Sequence, residues 1–410
     1  MKNVPDIRFK GFEDEWERLV VSDLLQVNKT LNTDNRYGRE DVLSVSDECG
    51  IVNQIKYLGR SYAGKSVLKY KVVKPNQIVY TKSPLKDKPY GIVKQSDIYG
   101  IVSSLYAVYD IIGNCIPSYI QWYFEPYYRI NKYFRPLVNK GAKNTINISD
   151  TNAVTGTIYI PKIVEQTIIS SYLEFLSKHI NDTTKKIASL KQLKSACLIS
   201  MFPQQGETVP RIRFKGFDGE WKNIKLSECL EISKEINSDN VYSKEDVLSV
   251  SDEMGVMNQI KLLGRSYAGK SVSKYKILKP HQIVYTKSPL KDKPYGIIKE
   301  NCGETGIVSV LYAVFNTKEN VDPTYIHYYF EPKFRINKYL YPLVNKGAKN
   351  TMNISDDTTL DGFVYIPSSE AEQHQIASYF RNLDIQISEQ EKRLEKLKQI
   401  KAACLDKMFV

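Results

Sequence analysis

The chain is written twice. Residues 5–12 (PDIRFKGF) return as 210–217 (PRIRFKGF), and 42–94 match 247–299 at about 44 of 53 positions, an offset of 205 residues. The offset becomes 206 at Ile101 against Ile307 and 207 beyond Pro161, and the repeat runs on until Ala196, Cys197, Leu198, Met201 and Phe202 reappear as Ala403, Cys404, Leu405, Met408 and Phe409. A period this long is no solenoid element. It reads as a duplicated domain carrying its own tail, and two such units imply pseudo-twofold symmetry.

Within each copy the first part is mixed. The runs 77–81 (QIVYT) and 100–109 (GIVSSLYAVY) are β-branched and aromatic, bounded by Pro and Gly, and predict strands. Residues 117–128 and 323–334 predict short aromatic helices that pack on such a sheet. The last 40 or so residues of each copy carry a different pattern, with apolar positions alternating four and three apart, the spacing of a coiled-coil seam. In the second copy the seam is Ile376, Phe380, Leu383, Ile387, Gln390, Leu394, Leu397, Lys401, Cys404 and Met408. The first copy keeps the register with Ile169, Leu173, Leu176, Ile180, Thr183, Ile187, Leu190, Lys194, Cys197 and Met201. A single helix would leave that seam wet, so the two long helices are expected to pack against each other, each spanning roughly 50 to 60 Å. The expected fold is α/β of the α+β kind: two similar globular domains separated and joined by two long antiparallel coiled-coil helices. The expected boundaries are 1–161, a helix and linker over 162–205, 206–367, and a terminal helix over 368–410.

Composition narrows the function classes. The count of 58 Lys and Arg against 46 Asp and Glu leaves a formal charge of +12, which favours a polyanionic partner without naming one. The start lacks the apolar core of a signal peptide and no window approaches the roughly 20 apolar residues of a membrane span, so the expected compartment is the cytoplasm, without a membrane partner. Cys49, Cys115, Cys197, Cys229, Cys302 and Cys404 show no C-x-x-C spacing and do not cluster with His179, His281, His327 or His374. Buried thiols are expected rather than disulfides or zinc, and no metal or cofactor is expected.

Residues 59–66 (GRSYAGKS) and 264–271 satisfy G-x-x-x-x-G-K-[ST], the phosphate loop of nucleotide-binding proteins. The chemistry of that loop needs a buried strand before it and a helix after it, whose N-terminus adds its dipole. Residues 53–58 make no buried central strand, and Pro75 leaves little room for the helix. The better use is a small basic loop that offers Arg60, Tyr62 and Lys65, with Arg265, Tyr267 and Lys270 in the second copy, to a phosphate backbone. No G-x-G-x-x-G, H-E-x-x-H, G-x-S-x-G or Asn/Asp-Pro-Pro-Tyr/Phe motif is present, so no catalysis is expected of this chain.

Two further pairs of loops join the candidates. Residues 82–91, turns stiffened by proline, carry Lys82, Lys86 and Lys88, and 287–296 repeat them as Lys287, Lys291 and Lys293. Lys140, Lys143, Asn144 and Thr145, with Lys346, Lys349, Asn350 and Thr351, combine charge, backbone freedom and short donors. Such loops can hold phosphates through Lys and Thr while Asn, Arg or Tyr reaches a base edge, although ordinary solvated turns have the same composition.

Each copy opens on Phe-x-Gly-Phe-x-x-x-Trp (Phe9 to Trp16, Phe214 to Trp221) and runs through Lys-Gly-Ala-x-x-x-x-x-Ile-Ser (Lys140 to Ser149, Lys346 to Ser355). It closes on Ile-Tyr-Ile-Pro or Val-Tyr-Ile-Pro (Ile158 to Pro161, Val364 to Pro367) before the long helix. This layout resembles the specificity subunits of type I restriction-modification enzymes across essentially the whole chain. Pro367, Glu372, Gln373, Ile376 and Ala377 resemble the family's helix-start motif. The first copy departs from it, with Glu165, Gln166, Ile168 and Ile169 one residue closer to Pro161 and no Ala.

The resemblance implies two target-recognition domains, each reading one half of a bipartite site in double-stranded DNA, with the helices setting the spacer. It also implies two docked methyltransferase subunits, with restriction subunits further out, and a subunit that itself catalyses nothing. Because the two copies are so alike, similar half-sites in inverted repeat are expected. A stand-alone architectural DNA-binding protein is the alternative. The clearest difference between the copies, 95–99 against 300–305, would break the equality if it read bases.

Overall fold

A strand buried on both faces organises each unit. The computed structural model describes residues 3–410 apart from 83, 85–86, 141–145 and 347–351, with backbone only at 139–140, 146, 345–346 and 352–353. The elements of the first copy are β1 (Glu17–Val20), β2 (Leu25–Val27), β3 (Leu43–Ser46), β4 (Gly50–Asn53), α1 (Gln54–Leu58), β5 (Lys71–Val73), β6 (Ile78–Thr81), β7 (Ile92–Gln95), β8 (Gly100–Val102) and β9 (Tyr106–Ile111). They are followed by α2 (Pro117–Tyr123), α3 (Tyr127–Phe134), β10 (Asn139–Lys140), β11 (Ile146–Asn147), β12 (Thr157–Ile160) and the long helix α4 (Ile163–Ser200).

Four of these strands form an antiparallel sheet in the order β2, β9, β6, β7. In β6 and β9, Ile78, Tyr80, Ala107 and Tyr109 face the helices. Val79 and Val108 face Leu43, Val73 and Val102 on the other side. That two-sided burial is why 78–81 is apolar without a polar face. Tyr80 stacks on Phe134 of α3 at 4.4 Å, and Tyr119, Ile120, Ile130 and Leu173 close the same core.

The second copy repeats the plan. Its elements are β13 (Lys222–Lys225), α5 (Leu226–Cys229), β14 (Leu230–Ile232), β15 (Leu248–Ser251), β16 (Gly255–Asn258), α6 (Gln259–Leu263), β17 (Lys276–Leu278), β18 (Ile283–Thr286), β19 (Ile297–Glu300), β20 (Gly306–Val308) and β21 (Tyr312–Thr317). Then come α7 (Pro323–Phe330), α8 (Lys333–Leu340), β22 (Asn345–Lys346), β23 (Met352–Asn353), α9 (Asp356–Thr359), β24 (Phe363–Ile366) and α10 (Glu370–Lys407). Its sheet runs β14, β21, β18, β19.

Two expected elements are subdivided. The run 100–109 is two strands: β8 pairs with β5, β9 joins the large sheet, and a turn at Ser104 and Leu105 separates them, with Tyr106 N–H donating to Ser103 O at 3.1 Å. The stretch 117–128 is one complete helix and the start of another. Pro126 lacks an N–H and clashes with the preceding turn, so α2 stops and α3 begins after it. Pro332 separates α7 from α8 in the same way.

The long helices each run 38 residues, about 57 Å at 1.5 Å per residue. The chain divides into two compact units, one made of 1–184 with 392–410 and the other of 185–391. Each unit therefore contains half of each long helix, and in each the halves pack together. In the first, Ile169, Leu173 and Leu176 share a core with Cys404, Leu405, Met408 and Phe409. In the second, Cys197, Leu198 and Met201 share one with Ile376, Phe380 and Leu383. The opposed ends of the chain segments make both pairs antiparallel, and every position of the two seams is buried or half-buried.

The ends of the helices are sealed by paired devices. The last carbonyls of a helix have no partner within it. In the first unit Ile7 N–H donates to Lys407 O at 2.9 Å, and the buried Arg129 donates to Leu405 O at 2.8 Å and Tyr123 O at 3.0 Å. In the second, Ile212 N–H donates to Ser200 O at 2.9 Å, and Arg335 to Leu198 O at 2.9 Å and Tyr329 O at 2.8 Å. At the helix starts, buried Glu165 takes two bonds from Arg8 at 2.7 and 2.8 Å, and Glu372 takes two from Arg213 at the same distances. Gln166 accepts from Ile116 N–H and donates to Pro161 O; Gln373 accepts from Asp322 N–H and donates to Pro367 O. The missing residue of the first copy therefore lies before the Glu-Gln pair and leaves the grip of that pair unchanged.

Candidate nucleic-acid interface

The loop after α1 is built to hold its ends and free its middle. Asn53 caps the helix by accepting from Lys56 N–H at 3.1 Å, and Gly59 closes it at φ 76°, a conformation that favours glycine. The Gln54 side chain then donates to Ser44 Oγ at 3.0 Å and accepts from Tyr62 N–H at 2.6 Å. Arg39 donates to Ala63 O at 3.2 Å, while Ala63 and Val67 are buried with Val42, Val72 and Ile101. Between these anchors the polar residues point outward. Tyr62 is 60% exposed, and the Arg60 guanidinium lies over its ring at 4.6 Å. Lys65 is also exposed.

The second unit reproduces this loop. Gln259 accepts from Tyr267 N–H at 2.6 Å, Arg265 lies over Tyr267 at 4.6 Å, and Lys270 is exposed. Neither loop is a nucleotide-binding phosphate loop in shape. A short helix precedes it and the strand β5 or β17 follows it, the reverse of the order that a phosphate loop requires.

A further signal in the sequence marks the same region. Between Glu48 and Asp87 there are eight Lys or Arg residues and no carboxylate, and between Glu253 and Asp292 the numbers are the same. Lys56 and Lys69, with Lys261 and Lys274, are exposed beside the loop. They are not among the expected residues, although the absence of acids points to them.

The lysines of 82–91 divide into two roles. Lys82 donates to Asp150 Oδ1 at 2.6 Å, and Lys71 pairs with the other oxygen of the same carboxylate. Lys287 and Lys276 pair with Asp356 at 2.8 and 2.5 Å. Lys88 is buried on Asp47 at 2.6 Å, and Lys293 is buried on Asp252 at 2.5 Å and donates to Glu331 O. Lys82, Lys88, Lys287 and Lys293 thus hold the loops to the fold, each already paired with a carboxylate. Gly91 is fixed too: at φ 91° a Cβ there would collide with Thr81 O. Lys291 is exposed. Lys86, Lys143, Asn144, Thr145, Lys349, Asn350 and Thr351 lie outside the described residues. Lys140 and Lys346 are described in backbone only, as members of β10 and β22.

Burial raises the Asp150 carboxyl, but the hydrogen bonds from Lys71 and Lys82 outweigh it and leave the group below its ordinary range; Lys276 and Lys287 do the same to Asp356. A carboxylate depressed in the folded state stabilises at pH values above its unfolded value, and the contribution is lost as pH falls through the folded one. Unfolding midpoints followed from pH 6 to 3 should therefore show Asp150→Asn and Asp356→Asn weaker than wild type near neutrality and converging with it in acid. Parallel curves over the whole range would refute this.

The largest difference between the copies lies outside these loops. Thr81, which leads into 82–91, pairs with Ile92 and Tyr106, whereas Gln95 pairs with Ile78 at the other end of β6. Lys71 pairs with Val102, while Gly100, which follows the divergent turn, pairs with Val73. In the second unit that turn is tied to α10, where Arg381 Nη2 lies 3.4 Å from the buried Glu300 carboxylate. Where the turn ends, Gly100 and Gly306 lie against the Asp41 and Asp246 carbonyls, beside the strands that lead to the loops.

Among the described residues, no group of three or more His, Cys, Asp or Glu could hold a metal ion, and no helix is long and apolar enough to cross a membrane. All six cysteines are free thiols.

A duplicated α+β unit, completed in each case by half of two long antiparallel helices, is the fold of type I restriction-modification specificity subunits. The S subunit of the type I restriction-modification system from M. genitalium superimposes with a TM-score of 0.56 at 12% identity, covering 99% of this chain and 99% of that one. The HsdS subunit from Thermoanaerobacter tengcongensis gives 0.43 at 14% identity, over 100% of this chain and 99% of that one. A chain from a structure concerned with complex assembly and conformational transition of the type I R-M system gives 0.44 at 14%, over 96% and 97%. No protein-family model and no curated protein matches the sequence.

Proposed function

We propose that this chain is the DNA-recognition subunit of a type I restriction-modification enzyme and catalyses nothing itself. Each unit reads one half of a bipartite target in double-stranded DNA, and the helices set the spacer. The observation that carries this reading is the pair of matching loops, 59–66 and 264–271, presented by equivalent anchors on a fold that S subunits have. Exposed Arg and Lys in an acid-free stretch supply the phosphate contacts that dominate affinity, and an aromatic ring beside a guanidinium supplies a group able to reach base edges.

Because the loops are identical, the two half-sites are similar and lie in inverted repeat. Two methyltransferase subunits dock on the helical scaffold, and restriction subunits join them. The domain boundaries proposed from the sequence, at 161, 205 and 367, separate the two readers from the helices; the reader and its helix halves then fold together as the units described above. The chain works in the cytoplasm.

The test is expression of the chain with its methyltransferase partner and mapping of N6-methyladenine on the host DNA. A bipartite inverted-repeat motif supports the assignment. An asymmetric motif keeps the family role and removes the equality of half-sites. Absence of any motif, together with tight DNA binding by the chain alone, favours an architectural DNA-binding protein.

A further inference from the structure

The two loop faces are near copies, and their few differences can be followed one at a time. Of the nine positions at which 42–94 and 247–299 differ, five exchange one apolar side chain for another in or beside the strands, and Asn76 against His281 lies next to the divergent turn. Three remain on the exposed face: Cys49 against Met254, Leu68 against Ser273, and Tyr57 against Leu262.

Two of these three change little that DNA could use. Cys49 and Met254 offer only weakly polar sulfur. The Ser273 hydroxyl is already engaged with Ser271 Oγ at 3.0 Å. Tyr57 is different. It sits on α1 three residues before Arg60, its side chain is 47% exposed, and its hydroxyl is held 3.3 Å from Ser46 Oγ on the neighbouring strand. The phenol is thereby both oriented and open, with hydrogen-bonding capacity left over, since a phenol both donates and accepts. Leu262 puts hydrocarbon at the same place in the second unit.

We infer that Tyr57 reads one base position in the half-site facing the first unit, and that the equivalent position of the other half-site goes unread. The target is then an inverted repeat with one half extended by a single specified base. This rests on the DNA-recognition reading above. A nearby difference, Arg36 against Val241, adds a cation in the turn where Asn32 binds both Tyr37 O and Val67 O. Arg36 is placed to act on the phosphate backbone, which raises affinity without carrying sequence information.

The experiment uses the full chain with its methyltransferase partner on a DNA library randomised around both half-sites. Wild type should prefer one base by about tenfold at a single flanking position of one half-site, the usual effect of one mismatched pair. Tyr57→Leu should remove that preference and leave a symmetric motif, and Leu262→Tyr should install it in the other half. Arg36→Val should weaken binding evenly and leave the motif unchanged. A symmetric wild-type motif, or a preference that survives Tyr57→Leu, overturns the inference while the recognition role stands. A wild-type library without any bipartite motif instead removes the reading on which the inference rests.

Discussion

Replacing Arg60 and Arg265 together by alanine is expected to lower affinity for the cognate duplex about a thousandfold. Each guanidinium stands out from an anchored loop with its plane supported by a tyrosine ring, and taking a guanidinium away from a base edge or phosphate costs about 2 kcal/mol. Two such costs at separate half-sites add. Either single variant should bind about thirtyfold more weakly, and the two should be equal, because the loops are identical and Gln54 and Gln259 hold them alike. Fluorescence anisotropy of a labelled duplex with the assembled methyltransferase measures this, and repetition over a salt series separates the phosphate component by its slope. Neither side chain closes a core, so the thermal midpoint should not move. Affinity within threefold of wild type would remove these loops from the interface.

The second large effect concerns folding and falls on the part of the chain farthest away in sequence. Deleting 392–410 should unfold the first unit, whose globular part begins near the N-terminus, and spare the second. The deleted segment puts Leu397, Ile400, Cys404, Leu405, Met408 and Phe409 into the first core, and it carries the carbonyls that Ile7 and Arg129 seal. Loss of one buried phenylalanine alone costs about 3–5 kcal/mol, and a whole domain has only about 5–15 kcal/mol to lose. Hydrogen exchange read by mass spectrometry should show amide protection lost over 16–160 and retained over 221–366. Protection retained in both would refute the partition of the helices between the units.

Much of this architecture is legible in the residues. The four-three alternation from Ile169 to Met201 and from Ile376 to Met408 identifies the buried seam position by position, because only one face of a long helix can be dry. The α+β character follows from short β-branched runs set between Pro and Gly. The break of 100–109 is harder to read, since Ser103 and Ser104 tolerate strand and turn alike and only the pairing partners of β8 and β9 decide.

The site is less legible than the fold. Lys82 and Lys88 look the same in sequence as any exposed lysine, yet Asp150 and Asp47, each dozens of residues away, hold them to the fold. Composition reports which charges a loop carries and says nothing of which are already neutralised across the fold. The first copy's shortened helix start reads in sequence as a change of geometry. The fold absorbs it, because the grip resides in Glu165 and Gln166 and their partners rather than in the spacing before them.

The bond from Ile7 to Lys407 brings the first and last described segments of the chain together in one core. At the matching place in the second unit, Ile212 and Ser200 are joined through the exposed stretch around Gln205 and Gly206. A covalent ring made by bridging the first junction, then cut at Gln205, would keep all the contacts described in both units and exchange only their order of synthesis. To this fold, which unit is translated first is a matter of where the circle was opened.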